Sequence, residues 1–172
     1  KDLREEMEPT RVGGGMISDV TLEGAEWAEL PWRLEAGTPH IAGGVGLAEA
    51  VRYLQKIGME NVRDHERRLT ELTLRLMRER LGDAVEIYGP LDVSVRGGIV
   101  TFNLKGLDPH MTASLLDSYG IAVRSGLHCA HPLHRRIGAP EGSVRASFYL
   151  YNTEEEVKTF VEVLEEIAKT VS

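Results

Sequence analysis

The 172-residue chain has one cysteine, no long apolar run and no excess of positive charge. A single thiol, Cys129, excludes an internal disulfide and fits a reducing compartment, most simply the cytoplasm. A helix that crosses a bilayer needs about 20 consecutive apolar residues, and no run here approaches that. The opening Lys1-Asp2-Leu3-Arg4-Glu5-Glu6 is charged and lacks the apolar core of a signal peptide. With 27 acidic against 20 basic residues, the net charge is -7. That speaks against a general nucleic-acid binder, which presents a basic face. It leaves room for a small anionic ligand held by a few local arginines. A chain this long buries on the order of 70% of its unfolded surface, so it folds without staples. It does not begin with Met and opens inside what reads as a helix end, which suggests a piece of a longer protein.

What is present is dense punctuation by glycine and proline. The helix end over residues 1–8 breaks at Glu8-Pro9-Thr10. Gly13-Gly14-Gly15 follows, permitting unusual backbone angles or offering a surface for something else to pack on. Residues 16–22 read as a short strand, 27–33 as loop and 34–39 as a turn. Val45, Leu47, Ala48, Val51 and Leu54 follow a helical period over 43–57, closed by Gly58. A charged helix over 59–81 places Val62, Leu69, Leu72, Leu76 and Leu81 on its apolar side and ends at Gly82. Strands are predicted over 85–88, 98–104, 121–124 and 143–150. A helix over 109–119 carries Pro109 in its first turn. The last helix opens with Thr153 and Glu156 in capping-box spacing. Its buried stripe is Val157, Phe160, Val161, Leu164 and Ile167. This order predicts an α/β chain in which a small α+β layer packs helices on an antiparallel or mixed sheet.

The chemistry gathers around Cys129, in Arg124-Ser125-Gly126-Leu127-His128-Cys129-Ala130-His131-Pro132. Thiolate is the nucleophilic form of cysteine, and nearby cations favour it. A buried structural cysteine is the competing reading, although glycine, histidines and proline flank it in place of a β-branched core pattern. His128, Cys129, His131 and His134 form H-C-x-H-x-x-H, which matches no usual zinc spacing and is interrupted by proline. One of these histidines suits acid–base work near neutrality, while His134 reads as a surface residue. Arg124 and Arg145 lie at strand ends flanking the thiol. Each could grip a carboxylate through paired hydrogen bonds or sit in an ordinary surface ion pair. Thr38, ahead of Pro39 and a helix, suits a phosphate or a simple turn.

Taken together, these residues resemble the C-terminal part of a group II cysteine desulfurase. That is the Suf-type and selenocysteine-lyase-like branch of the fold type I pyridoxal-phosphate enzymes. The resemblance runs from Gly13-Gly14-Gly15-Met16-Ile17 through Trp32-Arg33-Leu34-Glu35-Ala36-Gly37-Thr38-Pro39 and Tyr88-Gly89-Pro90. It continues through the Cys129 run to Arg145-Ala146-Ser147-Phe148-Tyr149-Leu150-Tyr151-Asn152-Thr153. It implies that residues 1–42 are the tail of a large cofactor-binding domain, 43–58 a connecting helix and 59–172 the small domain. Pyridoxal phosphate would act as electron sink for L-cysteine. Cys129 would take the sulfur as a persulfide and alanine would leave. Arg145 matches the residue that holds the substrate carboxylate, Arg124 a second arginine of the loop and His128 the histidine before the nucleophile. Thr38 matches a contact to the cofactor phosphate of a neighbouring subunit, which implies a homodimer. A sulfur acceptor of iron–sulfur cluster assembly is the implied partner. Leu127 departs from the pattern, which often has a second histidine there. The Schiff-base lysine is also missing: Lys1, Lys56, Lys105, Lys158 and Lys169 all lack its Ser-x-His context. Two other readings remain, a selenocysteine lyase and a non-catalytic module for dimerisation or docking.

Overall fold

Glycine sets the breaks between the main helices. Gly58, with φ near +90°, separates α2 (Ile41–Ile57) from α3 (Met59–Leu81), and Gly82, with φ near +50°, closes α3. Left-handed backbone of this kind is strained for any residue with a Cβ. A computed structural model of the chain describes residues 3–171. It divides into two compact units, Lys1–Lys56 and Ile57–Ser172.

The first unit opens with the short helix α1 (Leu3–Glu6), followed by an antiparallel hairpin of β1 (Ile17–Val20) and β2 (Ala25–Trp27). Three residues are too few for β2 to show a period, which is why the sequence predicts no strand there. The glycine run is a packing surface. A Cβ on Gly13 would stand 2.9 Å from the Gly37 nitrogen, and the Gly37 N–H donates to the Gly14 carbonyl at 3.0 Å. Helix α2 starts two residues earlier than expected and buries none of its side chains.

The second unit holds the core. Its remaining elements are β3 (Val85–Tyr88), β4 (Ile99–Leu104), α4 (Pro109–Ser118), β5 (Arg124–Gly126), α5 (His131–Arg136), β6 (Ser143–Ser147) and α6 (Glu154–Val171). The four strands form one sheet in the order β3-β4-β6-β5, antiparallel at every pairing. Side chains alternate across it, as strand geometry requires. Val100, Phe102, Leu104, Val144 and Ala146 face a core that Leu74, Met77 and Leu81 of α3, Leu116 of α4 and Phe160, Val161 and Leu164 of α6 complete. Phe102 meets Phe160 edge to face, with ring centroids 5.9 Å apart. Each fully buried side chain of this size contributes about 1.5–3 kcal/mol.

Three local expectations are corrected. The buried stripe of α3 keeps Val62, Leu69 and Leu81 but runs through Thr70, Thr73, Leu74 and Met77, leaving Leu72 and Leu76 half-buried. Thr73 is tolerated there because its hydroxyl donates to the Leu69 carbonyl at 2.7 Å. The third strand is Arg124–Gly126, not 121–124. Ile121 and Val123 pack against the core from a connecting segment, and pairing begins at Arg124, opposite Arg145. The short helix α5, two residues after the cysteine, is absent from the sequence reading. The capping box of α6 is present: Thr153 N–H donates to Glu156 Oε2 at 2.8 Å and Glu156 N–H to Thr153 Oγ1 at 3.2 Å.

The other face of the sheet is what matters for chemistry. Register partners place Tyr88 opposite Thr101, Thr101 opposite Arg145 and Arg145 opposite Arg124. These four polar side chains form a row across all four strands. Arg145 therefore sits at the centre of β6, not at a strand end.

Candidate active site

The cysteine turn grows out of β5. Gly126, with φ near +106°, ends the strand. A Cβ on Gly142 would stand 2.8 Å from the Gly126 carbonyl carbon, so the two backbones touch where the turn leaves and the chain returns. His128 and Cys129 are both left-handed, with φ of 49° and 58°. Non-glycine residues held in that region cost of order 1–3 kcal/mol each and cluster at functional sites. The turn closes with Ala130 N–H donating to the Leu127 carbonyl at 2.7 Å. Cys129 is exposed at this turn, so the buried structural reading falls away.

Behind the turn lie two histidines, one of which, His134, differs from its sequence reading. His134 is buried, only 3% exposed, and is not a surface residue. The physical reason is α5, whose last turn carries His134 beneath the loop. Its Nδ1 lies 3.0 Å from the Ala130 carbonyl and its Nε2 2.9 Å from the Ser143 hydroxyl. A carbonyl only accepts, so Nδ1 carries the proton and bare Nε2 accepts from Ser143. His128 Nε2 lies 3.1 Å from the Ser143 carbonyl, so it donates there. His128 Nδ1 is then an acceptor, buried and without a partner. Burial pushes the His128 pKa down, the hydrogen bond to Ser143 opposes this, and the positive charge of Arg145, His134 and Arg124 adds to the fall.

That shift has a sign in stability. An unfolded histidine takes up its proton near pH 6.5, whereas folded His128 resists until lower pH. The unfolded chain therefore binds more protons in that window, so stability rises with pH there and is lost as the pH drops. Denaturant midpoints measured at about pH 7.5 and about pH 5.5 are expected to drop in acid, and less so in His128→Gln. Equal slopes for the two proteins would refute this.

Arg145 and Arg124 are cross-strand neighbours, and among the described residues neither joins an ion pair. Arg145 is half-buried and its Nε is buried without a partner. Both orphaned atoms, His128 Nδ1 and Arg145 Nε, belong to residues lining one cavity of about 390 Å³. Tyr88, Pro90, Ile99, Thr101, Ala130 and Leu133 also line it, and no aspartate or glutamate does. Cys129 is not in its wall, but His128 and Ala130 on either side of it are. One flank is the β3–β4 loop, which two arginines fix in place. Arg96 donates to the carbonyls of Tyr88, Pro90 and Ile99, and Arg63 to those of Val93, Ser94 and Arg96. Thr38 belongs to the first unit, exposed between Gly37 and Pro39 and three residues ahead of α2. Sequence reasoning missed Ser143, Tyr88 and Thr101. Ser143 could have been found from the period of two in its strand, which puts it on the face of Arg145.

The model of a single family, "Aminotransferase class-V", matches residues 1–160. The chain belongs to the class-V aminotransferase family. A "Probable cysteine desulfurase" of Halobacterium salinarum is 48% identical over 166 residues, 96% of this chain but 39% of that protein. The "Cysteine desulfurase" of Haloferax volcanii is 48% identical over 165 residues, again 96% of this chain and 38% of that protein. The chain thus spans well under half the length of these relatives. Among solved structures, the apo cysteine desulfurase of Thermococcus onnurineus NA1 superimposes with a TM-score of 0.91 at 43% identity, covering 99% of this chain and 42% of its own. The cysteine desulfurase CsdA of Escherichia coli gives 0.87 at 31% identity, covering 99% and 41%.

This class-V aminotransferase chain places a guanidinium and an imidazole, but no lysine, among the residues that line the cavity. Lys105 lines a different cavity, and Lys158 and Lys169 pair with glutamates on α6. Among the described residues no three of His, Cys, Asp and Glu gather as a metal site, and no helix is long and apolar enough to cross a membrane.

Proposed function

We propose that this chain is the thiol-bearing C-terminal portion of a group II, Suf-type cysteine desulfurase. In this reading it takes the sulfur of L-cysteine onto Cys129 as a persulfide and L-alanine is released. The sulfur then passes to an acceptor protein of iron–sulfur cluster assembly in the cytoplasm. One observation carries the proposal. A half-buried guanidinium with no ion pair among the described residues, Arg145, lines a cavity whose wall includes the residues on both sides of an exposed thiol. The close likeness to proteins named cysteine desulfurases supports it.

Each residue has a task. Arg145 binds the substrate carboxylate through its planar fork. Arg124 beside it adds a second positive charge facing the same ligand. His128 Nδ1 accepts a hydrogen bond from the bound amino acid. Cys129, as thiolate, forms a bond to the substrate sulfur while the carbon–sulfur bond breaks. Thr38, with the turn ahead of α2, would contact the phosphate of a cofactor held by the neighbouring subunit of a homodimer. Pyridoxal phosphate, when bound, supplies the electron sink that makes the substrate sulfur electrophilic. The lysine that anchors it would come from the large domain, of which residues 1–42 are the tail, with 43–58 the connecting helix and 59–172 the small domain.

The test is to incubate the full-length protein with L-cysteine under non-reducing conditions and locate added sulfur by mass spectrometry of peptides. One extra sulfur atom is expected on the peptide containing Cys129. A modified peptide elsewhere, or none with turnover intact, would remove Cys129 as the acceptor.

A further inference from the structure

Two buried residues behind the cysteine turn, His134 and Ser143, are joined in a chain of hydrogen bonds that ends at His128, and His134 lines the same cavity as Arg145. The Ser143 hydroxyl donates to His134 Nε2 at 2.9 Å, and the Ser143 carbonyl accepts from His128 Nε2 at 3.1 Å. His134 is held at its other end by the Ala130 carbonyl at 3.0 Å. The two imidazole rings also lie against each other, with centroids 5.5 Å apart and planes tilted by 44°.

We propose that His134 and Ser143 are positioning residues that lock His128 in its Nε2–H tautomer, so that its bare Nδ1 is presented in the cavity beside Arg145. The argument runs along the chain of donors. The Ala130 carbonyl can only accept, so His134 carries a proton on Nδ1, and the neutral ring then has Nε2 free to accept from the Ser143 hydroxyl. That fixes the Ser143 hydroxyl as a donor and holds the first residue of β6 in one rotamer. The Ser143 carbonyl, aimed at His128, then admits only a proton-bearing Nε2. The left-handed backbone at His128 and Cys129 keeps the imidazole and the thiol on adjacent residues of one rigid turn.

The consequence is a buried lone pair with no partner among the described residues. Leaving such an atom unsatisfied costs about 1–3 kcal/mol, and a ligand donor removes that penalty. The charged groups around it are Arg145 of β6, Arg124 of β5 and His134 of α5, all cationic or neutral. Nothing there draws a proton onto Nδ1, so the atom stays an acceptor at neutral pH. A ligand that puts a carboxylate on Arg145 and a hydrogen-bond donor on His128 satisfies both orphaned atoms at once. This rests on the amino-acid-binding reading above, but the tautomer itself does not depend on it.

The test is nitrogen NMR of the whole chain labelled with ¹⁵N-histidine, which reads protonation at each ring nitrogen. His128 is expected to show an unprotonated Nδ1 and a protonated Nε2 at neutral pH. His134→Leu and Ser143→Ala each remove one link. Both variants keep the Ser143 carbonyl but remove the hydroxyl–imidazole bond that fixes its position, so either should lower the ratio of the two His128 tautomers by up to roughly fivefold, or about 1 kcal/mol, the worth of that one positioning bond. His134→Gln keeps an acceptor for the Ser143 hydroxyl and should restore the wild-type pattern. Because the wild-type spectrum alone makes a definite demand, the proposal remains testable if His134→Leu fails to fold. A His128 found protonated on Nδ1 in the wild type, or a tautomer ratio unchanged in the folded Ser143→Ala and His134→Leu variants, overturns it. If the tautomer pattern holds and the full-length protein makes no persulfide from cysteine, the desulfurase reading falls while the positioning roles stand.

Discussion

Replacing Cys129 with alanine in the full-length protein is expected to abolish turnover of L-cysteine, by about 10⁴-fold or more, the scale at which a covalent nucleophile is lost. The size follows from the step itself. With no thiolate to accept it, the substrate sulfur cannot be transferred to the protein as a persulfide, and neither arginine is a nucleophile. The side chain is exposed, so its removal leaves no cavity, and folding stability should shift by less than about 0.5 kcal/mol. A loss of activity therefore cannot be blamed on unfolding, and the denaturant midpoint checks this directly. The same variant separates the two substrate readings. Selenium leaves more readily than sulfur and depends less on an enzyme thiol. A selenocysteine lyase would keep most of its selenocysteine turnover in Cys129→Ala, whereas a cysteine desulfurase loses its cysteine turnover. Full retention of cysteine turnover would show that Cys129 is not the nucleophile.

How much of this was legible in the sequence depended on length and period. Long amphipathic elements declared themselves. The boundaries of α3 at Met59 and Leu81, of β3 at Val85 and Tyr88 and the Thr153–Glu156 cap match the expectation. β2, β5 and α5 did not, because three to six residues carry little periodicity and, unlike β3, none of them has an apolar or β-branched run to mark it. The omission of α5 had the largest consequence. Without it, His134 looked like one more polar residue after a proline, when the helix in fact buries it against Ser143. The site was visible as a set of residue types around one thiol, and the motif resemblance named their roles. What the sequence could not display was the register. Only the pairing of β5 with β6 sets Arg124 opposite Arg145, and only the pairing of β4 with β6 adds Thr101 to that row. Nor could it show which polar atoms end up without a partner, since that is a property of packing and not of composition.

The orphaned guanidinium nitrogen leads to the second large effect. Arg145→Leu in the full-length protein is expected to lower kcat/KM for L-cysteine by roughly 10 to 10³-fold, the range for losing one or two hydrogen bonds to a charged group at about 1.5–3 kcal/mol each. Most of that loss should appear in KM if the grip on the carboxylate is equally strong in ground and transition states. Arg145→Lys should recover little, because an ammonium keeps the charge but cannot reproduce the planar two-point contact. Stability should respond the other way. Arg145 has no ion pair among the described residues, and its Nε is buried without a partner. Removing it therefore breaks no ion pair among the described residues and relieves the desolvation penalty of its buried Nε. Arg145→Leu should match or exceed the wild-type denaturant midpoint while binding substrate poorly, the signature of a residue kept for function at the expense of folding. A variant that is clearly destabilised yet keeps its KM would make Arg145 a structural residue, and the carboxylate grip would have to be sought elsewhere.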